Sequence, residues 1–423
     1  MPGVCGYQAP GMFLTFKYKL QPKQKQHMVL LAELTRQRHL YNAGLEERIG
    51  AYRKIGKSLT YKDQFKSLTE WRHIDEEAGQ TPSNLQRWTL KRLDEAMLSF
   101  FRRLRQKAGK AGFPRFRGAS RWSSFGFMEF SGIRFDGKRL HWRTMPGGLR
   151  VHMHRPLPAG GRIKSCIFTK SVSGWSVCFQ VDIPDVATVA LEQVRNPIGL
   201  DVGLSAFATS DSGWAIHNPR LGGAAQADTA RCQRALARCK RGSKRRVKVR
   251  RKLTKQQAKL ANQRRTWLHQ QATKVVKEHD LIAVEDLNIR GMVRNPTLAR
   301  SIHDAGWGIF LGMLCYKAAR AGAQFHSIDP RGTSQRCSEC GIRVQKSLRD
   351  RVHDCPSCGL YLDRDVNAAR NILQAVAGLG AVNGLKKTRW LRKTPASIGS
   401  PGHTAPENLA GNCDSGFIIR RVA

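Results

Sequence analysis

A multidomain α/β fold is predicted for this chain of 423 residues, on three observations. Apolar residues recur at helical spacing over about 24–107, first Leu30, Leu31, Leu34, Leu40 and Leu45, then Trp88, Leu90, Leu93, Met97, Phe100 and Phe101. Short alternating runs separated by Gly, Pro and Ser fill about 122–189 and predict a small β-barrel. From residue 196 onward, buried strand-like runs alternate with helical ones.

The charge balance narrows the partner. Seventy-three Lys and Arg stand against 31 Asp and Glu, a formal net charge of +42 and a pI of about 10.7. Such an excess repels itself unless a polyanion neutralises it, which points to nucleic acid. A hydrophobic content of 41% excludes a disordered basic protein. No charged-then-apolar signal segment and no run of 18 apolar residues is present, so no membrane partner is expected. Eleven cysteines without such a signal fit a reducing, cytoplasmic or nucleoid-associated setting. Cys5, Cys166, Cys178, Cys232, Cys239, Cys315 and Cys413 are scattered and read as buried or free thiols.

Taken in order, residues 1–11 read as an irregular leader, which leaves Met1 and Met12 both open as the natural start, and FLTFKYKL as an alternating strand. The helical region ends in a basic stretch, followed by the loop GFPRFRG. The barrel strands are FGFMEF, IRFDG, LHW, LRVHM, IKSCIFTK and WSVCFQVDI. NPIGLDVGLSAFATSDSGWAIH predicts a buried strand, a tight turn and a second strand. Residues 225–280 predict a long helical hairpin around a basic turn, where 240–252 carries nine Lys or Arg and no acid. LIAVEDL is a short buried strand, 304–322 a helix, FHSIDP a strand and VNAARNILQAVA a helix. Beyond about residue 378 the chain is rich in Gly, Pro and Ser and reads as a disordered tail.

Two clusters carry chemistry. Cys337, Cys340, Cys355 and Cys358 form two CxxC pairs with fourteen residues between them. Four thiolates suit one tetrahedral Zn2+ at about 2.3 Å, with no open position for chemistry. The alternatives, two redox CxxC sites or coincidence, do not explain both pairs so close together. The second cluster is acidic, in a chain short of acids. Asp201 ends an apolar strand in IGLDVGL, Glu285 ends another in LIAVEDLNI, and Asp365 opens a helix in LDRDVNAARNI. Each has a structural alternative: a turn cap for Asp201, an arginine pair for Glu285, a helix N-cap for Asp365 or Asp363. Jointly, strand-Asp, strand-Glu and helix-Asp describe a carboxylate cluster that holds two Mg2+ (or Mn2+) on an RNase H-like sheet and hydrolyses a phosphodiester.

The segments GLDVGL, VEDLNIRGM, AGWGIFLGMLCYKAARAGAQFHSIDPRGTSQRCSECG and CGLYLDRDVNAARNI, in that order, resemble the TnpB family. These are transposon-encoded RNA-guided DNA nucleases, from which compact type V CRISPR effectors descend. The resemblance spans roughly 12–376 and is strongest over 197–375; YNAGLEER, AMLSFFRRL and GFPRFRG match more loosely. It implies a RuvC-type nuclease at 196–332 and 361–377, with Asp201, Glu285 and Asp365 as catalytic metal ligands. It also implies a zinc-ribbon insertion at 333–360. A wedge β-barrel would comprise 12–22 and 112–195, and a helical recognition lobe 24–110, with a tail at 378–423. Guide RNA and complementary target DNA are the implied partners, for a monomer or homodimer. Cleavage would fall beside a short flanking motif.

Candidate nucleic-acid contacts follow. Arg115, Phe116 and Arg117 would clamp and stack on RNA. Lys244, Arg245, Arg246, Lys248, Arg250 and Arg251 would meet phosphates. Asn84, Gln86 and Arg87 carry polar groups able to read base edges of the flanking motif. Each set has a plain alternative as packed or solvated surface. Two other functions compete with a guided nuclease: a guided DNA-binding repressor that does not cut, and an RNA-independent zinc-ribbon transposase.

Overall fold

In a computed structural model that describes residues 12–106, 111–347 and 350–379, the chain divides into two compact units between Pro184 and Asp185. The expected leader at 1–11 and nearly all of the expected tail, 380–423, lie outside the described residues, as do Cys5 and Cys413.

The first unit opens with β1 (Met12–Leu20), which buries Leu14, Phe16, Tyr18 and Leu20 in alternation, as the sequence pattern predicts. Helices α1 (Gln24–Ile55), α2 (Tyr61–Ile74), α3 (Glu76–Gln80) and α4 (Ser83–Arg105) follow. Gly56 closes α1 at φ +67°, a left-handed position that costs a glycine nothing. Thr60 and Asp63 form a capping box that starts α2. Leu30, Leu34, Leu45, Leu90, Leu93 and Met97 are buried between the helices. Polar groups in that layer are paired: Arg48 donates to Asp94 at 3.1 Å and to Gln64 at 2.6 Å, and Thr89 donates to Gln37 at 2.5 Å. Phe101, expected in the helical core, is exposed, because α4 runs on past its partners into its basic end.

Strands β2 (Ser124–Phe127), β3 (Ile133–Phe135), β4 (Arg139–Trp142), β5 (Leu149–His152), β6 (Arg162–Ser171) and β7 (Gly174–Ile183) join β1 in one seven-stranded antiparallel sheet, order β2-β6-β7-β1-β5-β4-β3. β1 is central, paired with β7 from Met12↔Ile183 to Lys19↔Ser176 and with β5 at its far end. Rings from distant strands meet inside: Trp142 of β4 lies 5.3 Å from Phe168 of β6 and 5.8 Å from Phe127 of β2. Phe135 of β3 lies 5.2 Å from Phe179 of β7. Contacts between strands so far apart in sheet order require the sheet to curl into a nearly closed barrel.

The second unit holds a five-stranded sheet of β8 (Pro197–Val202), β9 (Ala206–Ser210), β10 (Ala215–His217), β11 (Leu281–Glu285) and β12 (Gln324–Ile328), in the order β10-β9-β8-β11-β12. β10, β9 and β8 are antiparallel; β8, β11 and β12 are parallel. Between them come α5 (Leu221–Ala224), α6 (Gln226–Arg238), α7 (Lys244–Glu278), α8 (Ile289–Met292), α9 (Pro296–Ala305) and α10 (Trp307–Ala321). The helix expected over 304–322 is α10, which begins at Trp307 because Gly306, at φ +71°, caps its start and ends α9, a helix the sequence reading did not include. The hairpin turn is also shorter than expected, so most of the basic run is the first turns of α7. Phe207 meets Trp267 at 4.7 Å and Phe310 at 4.9 Å, which packs α7 and α10 against the sheet.

A small hairpin of β13 (Val352–Asp354) and β14 (Tyr361–Asp363) precedes α11 (Arg364–Leu379). Ile372 and Val376 of α11 pack with Leu281, Ala283 and Ile328 of the sheet. Gly199 in β8 makes this close approach possible, since a Cβ there would stand 2.1 Å from the carbonyl oxygen of Ala369. Residues 185–195, expected to end the barrel region, belong to this unit. Val189 bonds to Gly322 and Gln324, and Leu191 and Val194 pack on the same apolar cluster. Among the described residues no helix is long and apolar enough to cross a membrane.

Candidate active site and thiolate cluster

Asp201 and Glu285 stand at the carboxyl ends of neighbouring parallel strands. The β8–β11 register runs from Pro197↔Leu281 to Leu200↔Val284, so the next residue on each strand is Asp201 and Glu285. Asp365 comes from the first turn of α11, the helix that crosses β8 at Gly199. A Cβ placed on Gly203, just beyond β8, would lie 3.9 Å from Asp365 Oδ2, which locates that carboxylate beside the strand end. Asp363 is the N-cap of α11: its Oδ1 accepts the backbone N–H groups of Asp365 at 2.8 Å and Val366 at 3.2 Å. The capping role therefore falls on Asp363 and leaves the Asp365 carboxylate for other partners.

The three acids share one electrostatic neighbourhood. Burial, then the negative charges of Glu285 and Asp365, hold the Asp201 carboxyl well above the usual carboxylate range, with Arg364 opposing them. Burial also raises Glu285, against a hydrogen bond from the Thr333 hydroxyl, which donates to Oε1 at 2.5 Å. Arg364 Nε lies 3.3 Å from Asp365 Oδ1. Thr333 and Arg364 were not singled out by sequence reasoning. Their signal was adjacency alone, one in DPRGTSQRC and the other between the two aspartates of LDRDV. The residues fit a hard divalent cation: oxygen donors at the ends of rigid elements, with a carboxyl that resists ionising among its neighbours. Their oxygens do not close to the tight spacing of a single-ion cage. Among the described residues only the cysteines form a group whose ligand atoms all lie within 4.8 Å of one another.

The four cysteines sit on two like-built turns. Cys337 N–H bonds to Ile342 O and Gly341 N–H to Cys337 O; Cys355 N–H bonds to Leu360 O and Gly359 N–H to Cys355 O. Gly341 at φ +77° and Gly359 at φ +73° close both turns, so each pair reads CxxCG. Sγ of Cys337 lies 3.6 Å from that of Cys358, and Cys340 lies 3.5 Å from Cys355. A tetrahedral ion with sulfur ligands at about 2.3 Å needs edges of about 3.8 Å, so the set fits zinc. The Cys358 backbone N–H helps lower the Cys355 thiol, while burial and the neighbouring sulfurs raise that of Cys358, so full ionisation of the set calls for a cation.

Helix α11 ties the two clusters together. Buried Asn367 accepts from Ser338 N–H at 2.9 Å and donates to Arg336 O at 2.7 Å. Asn371 donates to Thr333 O and Arg336 O, and Gln374 to Ser338 O. These side chains form one helical stripe that grips the first cysteine turn and the loop bearing Thr333.

The candidate nucleic-acid residues divide. Arg115 and Phe116 are exposed, whereas Arg117 lies over the Tyr41 ring at 5.7 Å and its backbone bonds to Asn42. Lys244, Arg245, Lys248, Arg250 and Arg251 are exposed along α7. Arg246 instead closes the end of α6, donating to Leu236 O at 2.8 Å and Cys239 O at 3.1 Å. Asn84 and Gln86 are buried, bonded to Ser131 O and Ala78 O, and Gln86 also accepts from Arg72. Arg87 lies over the Phe65 ring and donates to Asn84. Base reading by these three would require exchanging bonds that hold the helices together. Cys166, Cys178 and Cys232 are buried thiols.

The chain is similar to known proteins over both clusters. Residues 177–296 match a family model described as "Probable transposase", and residues 307–372 match one described as "Cas12f1-like, TNB domain". A Streptomyces pristinaespiralis protein named "Putative RNA-guided DNA endonuclease" is 30% identical over 393 residues, covering 90% of this chain and 94% of that one. An Escherichia coli K12 protein of the same description, InsQ, is 28% identical over 378 residues, covering 85% and 91%. In fold, the chain is similar to the protein in a cryo-EM structure of a Cas12f1–sgRNA–target DNA complex. The TM-score is 0.54 at 12% identity, with 83% of each chain covered.

Proposed function

The chain belongs to the TnpB family, and from that membership we propose that it is an RNA-guided DNA endonuclease whose RuvC-type centre is Asp201, Glu285 and Asp365. The observation that carries the reading is the convergence of two adjacent parallel strand ends and one helix start on a buried acidic neighbourhood. The strand order β10-β9-β8-β11-β12, three antiparallel strands followed by two parallel to the middle one, supports an RNase H-like assignment.

Magnesium or manganese bound by these carboxylates supplies positive charge at the scissile phosphate and acidifies water. The chain's own residues do the rest. Rigid strand ends fix Asp201 and Glu285, so the ligand oxygens need no reordering on binding. Thr333 orients the Glu285 carboxylate through Oε1. Arg364, beside Asp365, offsets part of the acidic repulsion and is held there by a hydrogen bond from Nη1 to the Asp350 carbonyl. Hydrolysis adds water across the P–O3′ bond and leaves a 5′-phosphate and a 3′-hydroxyl. The four cysteines hold one zinc ion as a structural clip beside the centre, and α11 links clip to acid.

Sequence choice belongs to base pairing between a bound guide RNA and the target strand, while exposed cations such as Lys244, Arg245 and Lys248 meet backbone phosphates. The test is to supply the purified ribonucleoprotein with a guide altered in its pairing segment and follow cutting of matched and unmatched DNA. Cutting that follows the new guide supports the proposal. Cutting that ignores the guide, or needs no RNA, replaces it with the RNA-independent transposase.

A further inference from the structure

The end of α4 and the loop that follows expose a set of large apolar side chains that no part of the described fold covers. Phe101 is 41% exposed, Leu104 50%, Phe113 43% and Phe116 53%. Their arrangement is fixed by the fold. The Phe100 ring lies 5.2 Å from both Phe101 and Phe113, edge-on to the latter. Arg103 donates to Gly112 O at 3.2 Å, tying the loop to the helix. Asn42 makes two hydrogen bonds to the Arg117 backbone at the loop's other end. A loop held at both ends keeps its rings outward. Exposed rings gathered on one helix end and the short loop after it, within a polar surround, mark an interaction surface.

The charge around the rings selects the partner. From Ala96 to Met128 the sequence has no Asp or Glu. Arg102, Arg103, Arg105 and Arg115 stand exposed among the rings. A second copy of the chain would set these cations against themselves, and a neutral apolar partner would leave them without counter-charge. Exposed π-faces interleaved with cations match a strand of nucleic acid whose bases are unstacked and whose phosphates run alongside. A duplex hides its base faces and offers phosphates alone.

We propose that the C-terminal turn of α4 and the 111–118 loop form a stacking platform for an unpaired stretch of the resident RNA, with Phe101, Phe113 and Phe116 as the base-stacking rings. The choice of RNA rests on the proposed RNA-guided function. Exposed rings invite aggregation, so they suit the partner held throughout the protein's life rather than target DNA met transiently.

The test compares the full-length protein with Phe113→Ala, Phe116→Ala and Phe116→Trp variants. The probes are an unstructured oligouridine, a fully paired RNA hairpin with the same number of phosphates, and loading of the locus-encoded RNA. Each alanine weakens oligouridine binding and RNA loading by roughly tenfold. It leaves hairpin binding and the salt slope unchanged, and Phe116→Trp restores wild-type binding. Because Phe116 is half-exposed, an unchanged thermal melt separates this loss from unfolding. Equal loss on the hairpin, no loss on oligouridine, or loss only of target DNA binding by the loaded complex overturns the proposal. So does a dimer that Phe116→Ala dissociates. These outcomes are independent of guide reprogramming: a guided nuclease with indifferent Phe variants loses only the platform.

Discussion

Asp201 gathers the costs and the use of the site in one side chain. Its carboxyl is held above the usual range by burial and by Glu285 and Asp365. A group in that state gains most from a cation, because the cation displaces a proton and cancels the repulsion together. Removing any of the three acids removes charge that only the cation-bound state rewards. Asp201→Ala, Glu285→Ala and Asp365→Ala should each lower cleavage by at least a thousandfold, about 4 kcal/mol of barrier. Guide and target binding should persist, as measured by gel shift beside a cleavage assay. A variant that cuts at near wild-type rate withdraws that residue from the site. The direction of the shifts gives a second outcome. Protons and cations compete for Asp201 and Glu285, both raised, so the Mg2+ concentration for half-maximal cutting should rise as pH falls. Saturating Mg2+ should flatten the profile. A half-maximal concentration that does not change with pH would contradict the shifts.

At the scale of elements, α11 does the most. It presents Asp365, crosses β8 at Gly199, and grips the first cysteine turn through Asn367. Asn367→Ala would strand the buried Ser338 N–H, costing about 1–3 kcal/mol, while Arg336 O keeps its bond from Asn371. Cys337→Ser should lower bound zinc and, through the same stripe, slow cleavage; metal content and rate measured together check the link. Zinc loss with full activity would separate clip from site. Gly199→Ala should destabilise by about 3 kcal/mol, since the new methyl meets a helix carbonyl that cannot turn aside; a thermal melt reads it. Much of this scale was legible. The strands carrying Asp201 and Glu285 announced themselves as apolar runs ending in an acid, and the cysteine spacing announced the clip. What was not legible depends on tertiary partners. Asn84 and Gln86 look like free polar groups on a helix but are consumed by Ser131 and Ala78. Arg246 stands in a basic run yet caps α6. Thr333 gains its role only because the fold sets it on Glu285. The 185–195 segment carries no strong period, so its unit was set by packing rather than by pattern.

Over the whole molecule, the charge of +42 and the acid-poor stretches describe a protein built around a polyanion, since 31 Asp and Glu cannot offset 73 Lys and Arg. Two compact units, one a helical layer with a curled barrel and one an α/β sheet with its cysteine hairpin, carry separable tasks under the proposed function: holding nucleic acid and cutting it. Under the proposed function an RNA, not the protein, chooses the DNA. The most direct measurement expresses the protein with its locus, sequences the RNA that co-purifies, changes only its pairing segment, and scores Mg2+-dependent cutting of old and new targets. A guided nuclease yields one discrete bound RNA and cutting that moves wholly to the new target. Continued cutting of the old target, or cutting by protein stripped of RNA, would contradict it.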